Sequence, residues 1–164
     1  MKIINEINEV YNEAQNIELF LDMDGTIIEL LFNSEESFGK KGGYLKKEPI
    51  NPIIEKIKEI KQRFPLIKIN ILSCSKTNEM KKEKNEWLDK YMPYIHMKNR
   101  IILCEESGDY TQKNVNLVKA QYIKNNLKEN DVAILIDDDI RILLEAKKLL
   151  KERILSIHVT SLLI

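Results

Sequence analysis

The sequence is poor in the residues that define several large classes of protein. Five glycines and four prolines among 164 residues exclude collagen-like and loop-dominated folds. Two cysteines are too few for a disulfide framework. The N-terminal stretch carries acids where a secretory signal would be apolar, so we expect reduced thiols in a cytoplasmic protein. No apolar run approaches the roughly 20 residues of a membrane span, and we expect no membrane association.

Charge of neither sign is in excess, because 26 basic side chains balance 26 acidic ones. Nucleic-acid-binding proteins usually present a net basic surface, so this balance argues against nucleic acid as a partner. Any attraction of an anionic substrate must then be local. A length near 150 residues favours one domain with its own core, and we interpret residues 1–164 as a single domain.

Short apolar runs alternate with helical patterns along the chain. Most of the runs are continuously apolar, as a parallel sheet covered by helices on both faces requires. We therefore expect a three-layer α/β fold with a five-stranded parallel sheet, and ligands beyond the carboxyl ends of its strands. The predicted strands are 17–21, 66–72, 100–104, 132–136 and 154–159, and the predicted helices are 2–16, 49–64, 76–91, 116–128 and 140–151.

Residues 29–48 interrupt this alternation. Two pairs of lysines flank two consecutive glycines there, which predicts a long loop or a short cap-like insertion. Such a basic loop could lean over a site and meet phosphates, although a solvated loop is the simpler interpretation.

Polar residues follow three of the predicted strands. The sequence Asp-Met-Asp-Gly-Thr occupies 22–26, Ser73 and Cys74 follow the second strand, and three aspartates occupy 137–139. Carboxylates brought together at one sheet edge are unstable unless a cation neutralises them or they share a proton. Hard oxygen ligands in this number suit Mg²⁺, whereas the few cysteines and histidines do not suit zinc.

These motifs resemble those of the haloacid dehalogenase-like (HAD) phosphohydrolase superfamily. FLDMDGTI is similar to the first signature of that family, NILSCS to the second and AILIDDD to the fourth. A lysine between the second and the fourth completes the set, in the family's order, over residues 17–139. The resemblance implies a Rossmann-like HAD fold with sheet order 5-4-1-2-3 and a minimal cap.

The resemblance implies roles for four acids. Asp22 would attack phosphorus and form an aspartyl-phosphate. Asp24 would protonate the leaving oxygen and later activate water. Mg²⁺ would be held by Asp22, by the main-chain carbonyl of Asp24 and by Asp138, with Asp137 in the outer shell.

The same resemblance implies a set of substrate-binding groups. Gly25 lets the backbone turn tightly beside the site, and the Thr26 hydroxyl holds that turn. The Ser73 hydroxyl and the following backbone N–H, that of Cys74, would hold phosphate oxygens.

Two lysines lie in the interval where the family places its charge-balancing lysine. Lys119 lies in VKAQYI, which is similar to a segment before the Asp-Asp strand in small nucleotidase-like members. Lys113 lies in a predicted loop and could also swing into the site. We favour Lys119, whose fixed charge would balance the nucleophile and the phosphoryl group.

The implied function is Mg²⁺-dependent hydrolysis of a small-molecule phosphate ester, with a nucleoside monophosphate as one candidate substrate. Polynucleotide ends, phosphosugars and phosphoproteins remain open. The minimal cap suits a large substrate, or a second subunit of a homodimer that covers an open site.

Two other classes of protein remain as alternatives. A receiver-like phospho-acceptor domain also combines acids with a lysine, but its accepting aspartate follows the third strand, where this chain has Cys104 and Glu105. A catalytically idle HAD-like binding module would not need both Asp22 and Asp24. Purely structural interpretations are that Ser73 and the aspartates at 137–139 cap the helices that follow them.

Overall fold

The computed structural model describes residues 2–13, 16–30 and 41–164. Two residues of the predicted first helix, 14 and 15, and the centre of the predicted insertion, 31–40, lie outside the described residues.

Five strands form one parallel sheet with the order β3-β2-β1-β4-β5. This is the predicted order 5-4-1-2-3 seen from the opposite edge, and every pairing of neighbouring strands is parallel. The predicted three-layer α/β fold is therefore confirmed. The strands are β1 (Ile17–Leu21), β2 (Lys68–Ser75), β3 (Arg100–Cys104), β4 (Val132–Asp137) and β5 (Ile154–His158).

One α-helix connects each strand to the next, as crossovers between parallel strands require. A further helix, α1, precedes β1. None of the helices in the three described ranges is both long and apolar enough to cross a membrane. The helices are α1 (Lys2–Glu13), α2 (Asn51–Arg63), α3 (Asn78–Tyr91), α4 (Val115–Asn126) and α5 (Ile140–Leu150).

Alternate side chains of the central strand enter different halves of the core. Leu19 and Leu21 belong to a buried cluster that includes the inner faces of α1, α2 and α3. Phe20 belongs to a second cluster formed with α4 and α5. Because both faces of the sheet are covered, its strands are continuously apolar, and the polar residues that follow them are left at the carboxyl edge.

The second strand is longer than its apolar pattern predicted. It runs to Ser75, which pairs with Cys104 of β3, so Ser73 and Cys74 lie within the strand and not after it. Main-chain pairing continues there although apolar character ends at Leu72. Ser73 therefore cannot cap α3, whose N-cap is Thr77.

The helix-capping interpretation holds for one of the three consecutive aspartates. The Asp139 carboxylate accepts a hydrogen bond from the N–H of Arg141, 2.9 Å away, and caps α5. Asp137 and Asp138 do not cap the helix, and their carboxylates lie at the carboxyl edge of the sheet.

The base of the insertion is closed beside the turn that follows β1. Ile28 forms an antiparallel bridge with Pro49, and the N–H of Ile50 donates to the carbonyl of Ile27 over 2.8 Å. Residues 41–48 form the returning arm of the insertion, and this arm contains a 3₁₀ turn, Tyr44–Lys46. The two ends of the insertion are thus paired with each other close to Asp24.

Candidate active site

Three aspartates from neighbouring strands meet at the carboxyl edge of the sheet. Asp22 follows β1, Asp137 ends β4 and Asp138 comes next; one carboxylate oxygen from each lies within 4.8 Å of the others. Asp22 and Asp137 are buried and Asp138 is partly buried. The convergence expected from the strand-end pattern is therefore present.

Lys119 lies between two of these carboxylates. Its Nζ donates to Asp22 Oδ1 and to Asp137 Oδ2, each over 2.6 Å, and the residue is 3% exposed. Burial by itself lowers the pKa of Lys119, but the charges of Asp22 and Asp137 raise it above its usual range. The lysine is therefore a fixed positive charge. Lys113, the other candidate, is exposed in the turn before α4.

Negative charge at this edge exceeds what Lys119 balances. Burial, with the charges of Asp137 and Asp24, raises the pKa of Asp22 from 3.8 to about 6, against the opposing effect of Lys119. Burial and the charge of Asp22 also raise the pKa of Asp138. A divalent cation would relieve both carboxylates.

The carboxylate oxygens differ in how fully protein donors occupy them. Asp137 accepts from Lys119 at Oδ2 and from the N–H of Asp139 at Oδ1, 2.9 Å away, so both of its oxygens are engaged. Asp138 is partly buried and directs its carboxylate toward Gly25. This all-oxygen donor set suits Mg²⁺ and fits Asp138 as a direct ligand with Asp137 behind it.

The turn after β1 depends on a glycine. Gly25 has a φ of +77°, and a Cβ at this position would lie 2.2 Å from Asp138 Oδ2. Thr26 Oγ1 donates to Asp22 Oδ2 over 3.1 Å. Thr26 therefore orients the Asp22 carboxylate in addition to stabilising the turn.

Sequence reasoning missed a second buried lysine, Lys84 on α3, which is 0% exposed. Its Nζ donates to Asp24 Oδ2 over 2.6 Å, to Ser73 Oγ over 2.8 Å and to the Cys74 carbonyl over 2.7 Å. These acceptors use all the donors of an ammonium group. Lys84 therefore ties the turn after β1 to the end of β2.

One feature of the sequence could have revealed Lys84. It lies three and four residues before Trp87 and Leu88, on the stripe by which this very polar helix packs against the sheet. Trp87 also contacts Tyr91 one turn further along the helix, with ring centroids 4.6 Å apart. A lysine on such a stripe must be paired, because an isolated buried charge is unfavourable.

Two cations hold Asp24. Lys47 Nζ lies 3.2 Å from Asp24 Oδ1, opposite the contact with Lys84. Burial alone would raise the pKa of Asp24, but Lys84 and Lys47 lower it below its usual value. Asp24 is therefore ionised at neutral pH, and it must acquire a proton before it can donate one.

Helix α3 also anchors the returning arm of the insertion. The Glu83 carboxylate accepts hydrogen bonds from the N–H groups of Gly42 and Tyr44, and Trp87 Nε1 donates to the Lys47 carbonyl over 3.0 Å. Lys47 therefore faces the site, so the simpler interpretation of a solvated loop does not hold for this residue.

A cavity of about 300 Å³ opens beside Asp24. Cys74 lines it, but burial raises the pKa of its thiol, so Cys74 is not an activated nucleophile. Ser73 is buried, with Oγ against Lys84. Apolar parts of the wall come from Leu30, Tyr44, Met80, Tyr110 and Val115.

The solved structures that resemble this chain include two of the HAD domain of effector protein Lem4 from Legionella pneumophila. The first has 17% sequence identity and a TM-score of 0.53, and the similarity covers 88% of this chain and 85% of that one. An inactive mutant of the same domain has 14% identity and a TM-score of 0.51, with the same coverage. No protein-family model and no curated protein matches the sequence. This chain therefore has the fold of a HAD domain.

Proposed function

We propose that the protein is a Mg²⁺-dependent phosphatase that hydrolyses a phosphomonoester through an aspartyl-phosphate on Asp22. The observation that carries this proposal is the setting of Asp22, which lies against Lys119 and Thr26 and beside Asp138. Two residues later, Asp24 lines the adjoining cavity. The HAD-domain fold supports the same chemistry by analogy.

The acidic edge is suited to hold Mg²⁺ through Asp22, the Asp24 carbonyl and Asp138. When bound, the ion would neutralise carboxylate and phosphoryl charge. Lys119 has a separate task, because its contacts with Asp22 and Asp137 hold the nucleophile in one orientation. The Ser73 hydroxyl and the Cys74 N–H would bind phosphoryl oxygens.

The proposed reaction has two steps. In the first, an oxygen of Asp22 forms a bond to phosphorus, the ester P–O bond breaks, and the leaving oxygen takes a proton from Asp24. In the second, Asp24 removes a proton from water while that water attacks phosphorus, which releases phosphate and restores Asp22. The ester can bring the first proton to Asp24, since the second pKa of a phosphomonoester is about 6.

The cavity supports a small organic leaving group as the substrate class. Tyr44 and Tyr110 contribute to its apolar wall, and Lys47 lies at the edge nearest Asp24. We propose a nucleoside monophosphate as the first candidate to test, because a base could pack against such a wall.

The receiver-like alternative lacks comparable support. The carboxylates that meet at the sheet edge come from β1 and β4, whereas a receiver acceptor would follow β3. The end of β3 is closed by Asp109, which accepts from the N–H of Cys104 over 2.8 Å.

The proposal is tested by turnover of p-nitrophenyl phosphate with Mg²⁺. We expect EDTA to abolish turnover, and the Asp22→Asn and Asp24→Asn variants to lose it. Glu55→Gln, which changes an exposed carboxylate on α2, is the matched control and should behave like the parent. Mg²⁺-dependent turnover that survives Asp22→Asn would remove Asp22 as the nucleophile.

A further inference from the structure

The hydroxyl of Tyr44 is buried without a partner. The residue is 5% exposed, and its hydroxyl makes no hydrogen bond of normal geometry within the described ranges, although the nearby Asp24 carboxylate raises its pKa. Buried tyrosine hydroxyls usually find one, because an unpaired polar group away from water is unfavourable. Tyr44 also lines the cavity that contains Asp24. An unpaired donor in the wall of a cavity indicates an acceptor supplied by a ligand.

The main chain on both sides of Tyr44 is held in place by α3. Glu83 accepts from the N–H of Tyr44 over 3.2 Å and also from the N–H of Gly42. Trp87 holds the carbonyl of Lys47 on the other side of the ring. The main chain that carries Tyr44 is therefore fixed, and the ring itself is buried.

Two lysines lie beside the ring, together with the Asp24 carboxylate that they contact. Lys47 Nζ lies 4.6 Å and Lys84 Nζ 5.3 Å from the ring centroid, and both lysines also contact Asp24. Burial, with the charges of Asp24 and Asp22, raises the pKa of Tyr44 well above its ordinary value. The group is therefore a phenol that can donate, close to positive charge.

We propose that the Tyr44 hydroxyl donates a hydrogen bond to a phosphoryl oxygen of the bound ester. Tyr44 would then be a substrate-binding residue that the insertion contributes, together with Lys47, to a site whose other groups come from the sheet edge, α3 and α4. This inference rests on the proposed phosphatase function.

The test is Tyr44→Phe, which removes one oxygen and keeps the ring. Without ligand, we expect its thermal midpoint to equal or exceed that of the parent, because no protein hydrogen bond is lost. With Mg²⁺ present, its affinity for orthovanadate should fall about tenfold or more, as for loss of a hydrogen bond to a charged group. The value of kcat/KM for p-nitrophenyl phosphate should fall by a similar factor.

Tyr110→Phe is the matched variant for stability. Tyr110 is also buried in the cavity wall, but its hydroxyl donates to the Ser75 carbonyl over 3.0 Å. Removing it takes away one of the two hydrogen bonds that the Ser75 carbonyl accepts, the other coming from the N–H of Glu105 over 3.0 Å, so we expect a lower thermal midpoint. The two tyrosines should thus differ in the sign of their effect on stability.

The outcomes separate the inference from the proposed function. If the parent hydrolyses the ester and Tyr44→Phe matches it in both orthovanadate affinity and kcat/KM, the role of Tyr44 is wrong and the phosphatase stands. A lower thermal midpoint with unchanged affinity would make Tyr44 structural. If the parent binds orthovanadate without turnover and Tyr44→Phe weakens binding, the role of Tyr44 stands and hydrolysis fails. A parent with neither binding nor turnover overturns both.

Discussion

The two aspartates of the first motif lie in halves of the site that are built differently. The Asp22 half belongs to the sheet, where β1 and β4 bring three carboxylates around Lys119. The Asp24 half belongs to α3 and to the insertion, which supply Lys84 and Lys47.

The two halves of the site shift the pKa values of their carboxylates in opposite directions. Burial raises the pKa of Asp22 to about 6. Burial also acts on Asp24, but the two lysines outweigh it and lower its pKa. Without metal, the raised pKa favours the protonated form of Asp22 while Asp24 stays ionised, so the role proposed for Asp22 requires a cation beside it. In the proposed reaction, the sheet would supply the nucleophile, and the helix and the insertion would supply the groups that surround the proton-transfer residue.

The largest effect should come from the sheet half, through Lys119→Met. It would leave Asp22 and Asp137 buried without their shared cation, and removing one partner of a buried ion pair typically destabilises by about 3–5 kcal/mol. We expect loss of turnover and a lower urea midpoint. Lys124→Met, an exposed position on the same helix, is the control. Parent-like stability in Lys119→Met would contradict the ion-pair account.

Gly25→Ala tests the junction between the halves. The added Cβ would overlap the Asp138 carboxylate, and the positive φ is strained for alanine by about 1–2 kcal/mol. We expect weaker Mg²⁺ binding by calorimetry and turnover reduced at least about 100-fold, since misplacing a catalytic group by 1 Å can have that effect.

Gly108→Ala is the matched control for Gly25→Ala. Gly108 has a similar φ of +84°, but the space around its missing Cβ is open. It should show the backbone strain alone, with Mg²⁺ affinity unchanged. Equal losses of Mg²⁺ affinity in the two variants would show that the contact with Asp138 is irrelevant.

Lys84→Met tests the other half with a smaller expected effect on rate. Because Lys84 lowers the pKa of Asp24, its removal should raise that pKa and move the acid limb of the kcat/KM profile to higher pH. We expect about a 10- to 100-fold loss of rate, typical for a general acid–base group. Lys84→Arg, which keeps the charge, should restore the limb in part. An unmoved acid limb in Lys84→Met would separate Lys84 from proton transfer.

The smallest expected effect is on the pH dependence of folding stability. The folded-state pKa of Asp22, about 6, exceeds its ordinary 3.8, so without metal its contribution to stability is present below about pH 4 and lost as pH rises through about 6. Mg²⁺ should relieve that loss and raise the thermal midpoint more at pH 7.5 than at pH 5. An equal rise at both values would argue against a cation beside Asp22.

The sheet half could be predicted from sequence because its signals are local. β1 and β3 have the predicted limits, 17–21 and 100–104, since polar residues bound each apolar run. Asp22, Asp137 and Asp138 were expected at one edge because parallel strands end together.

The helix half could not be predicted because its signals depend on tertiary contacts. Lys84 looks like any lysine of a polar helix until its partners Asp24 and Ser73 are brought beside it. Tyr44 lies in a segment without apolar periodicity, held by main-chain contacts with Glu83 that no pattern encodes. The limits of β2 were wrong for the same reason, since pairing with β3 extends the strand through Ser75.

The most direct test of the central claim is to locate the phosphoryl group by mass spectrometry. Asp24→Asn should still accept phosphate from p-nitrophenyl phosphate, whose leaving group needs little protonation, but should hydrolyse the intermediate slowly. We predict that this variant, quenched in acid after reaction with Mg²⁺, carries phosphate on Asp22, and that the Asp22→Asn/Asp24→Asn double variant carries none. Phosphate on another residue, or turnover by the parent with no trapped phosphate in Asp24→Asn, would contradict the account.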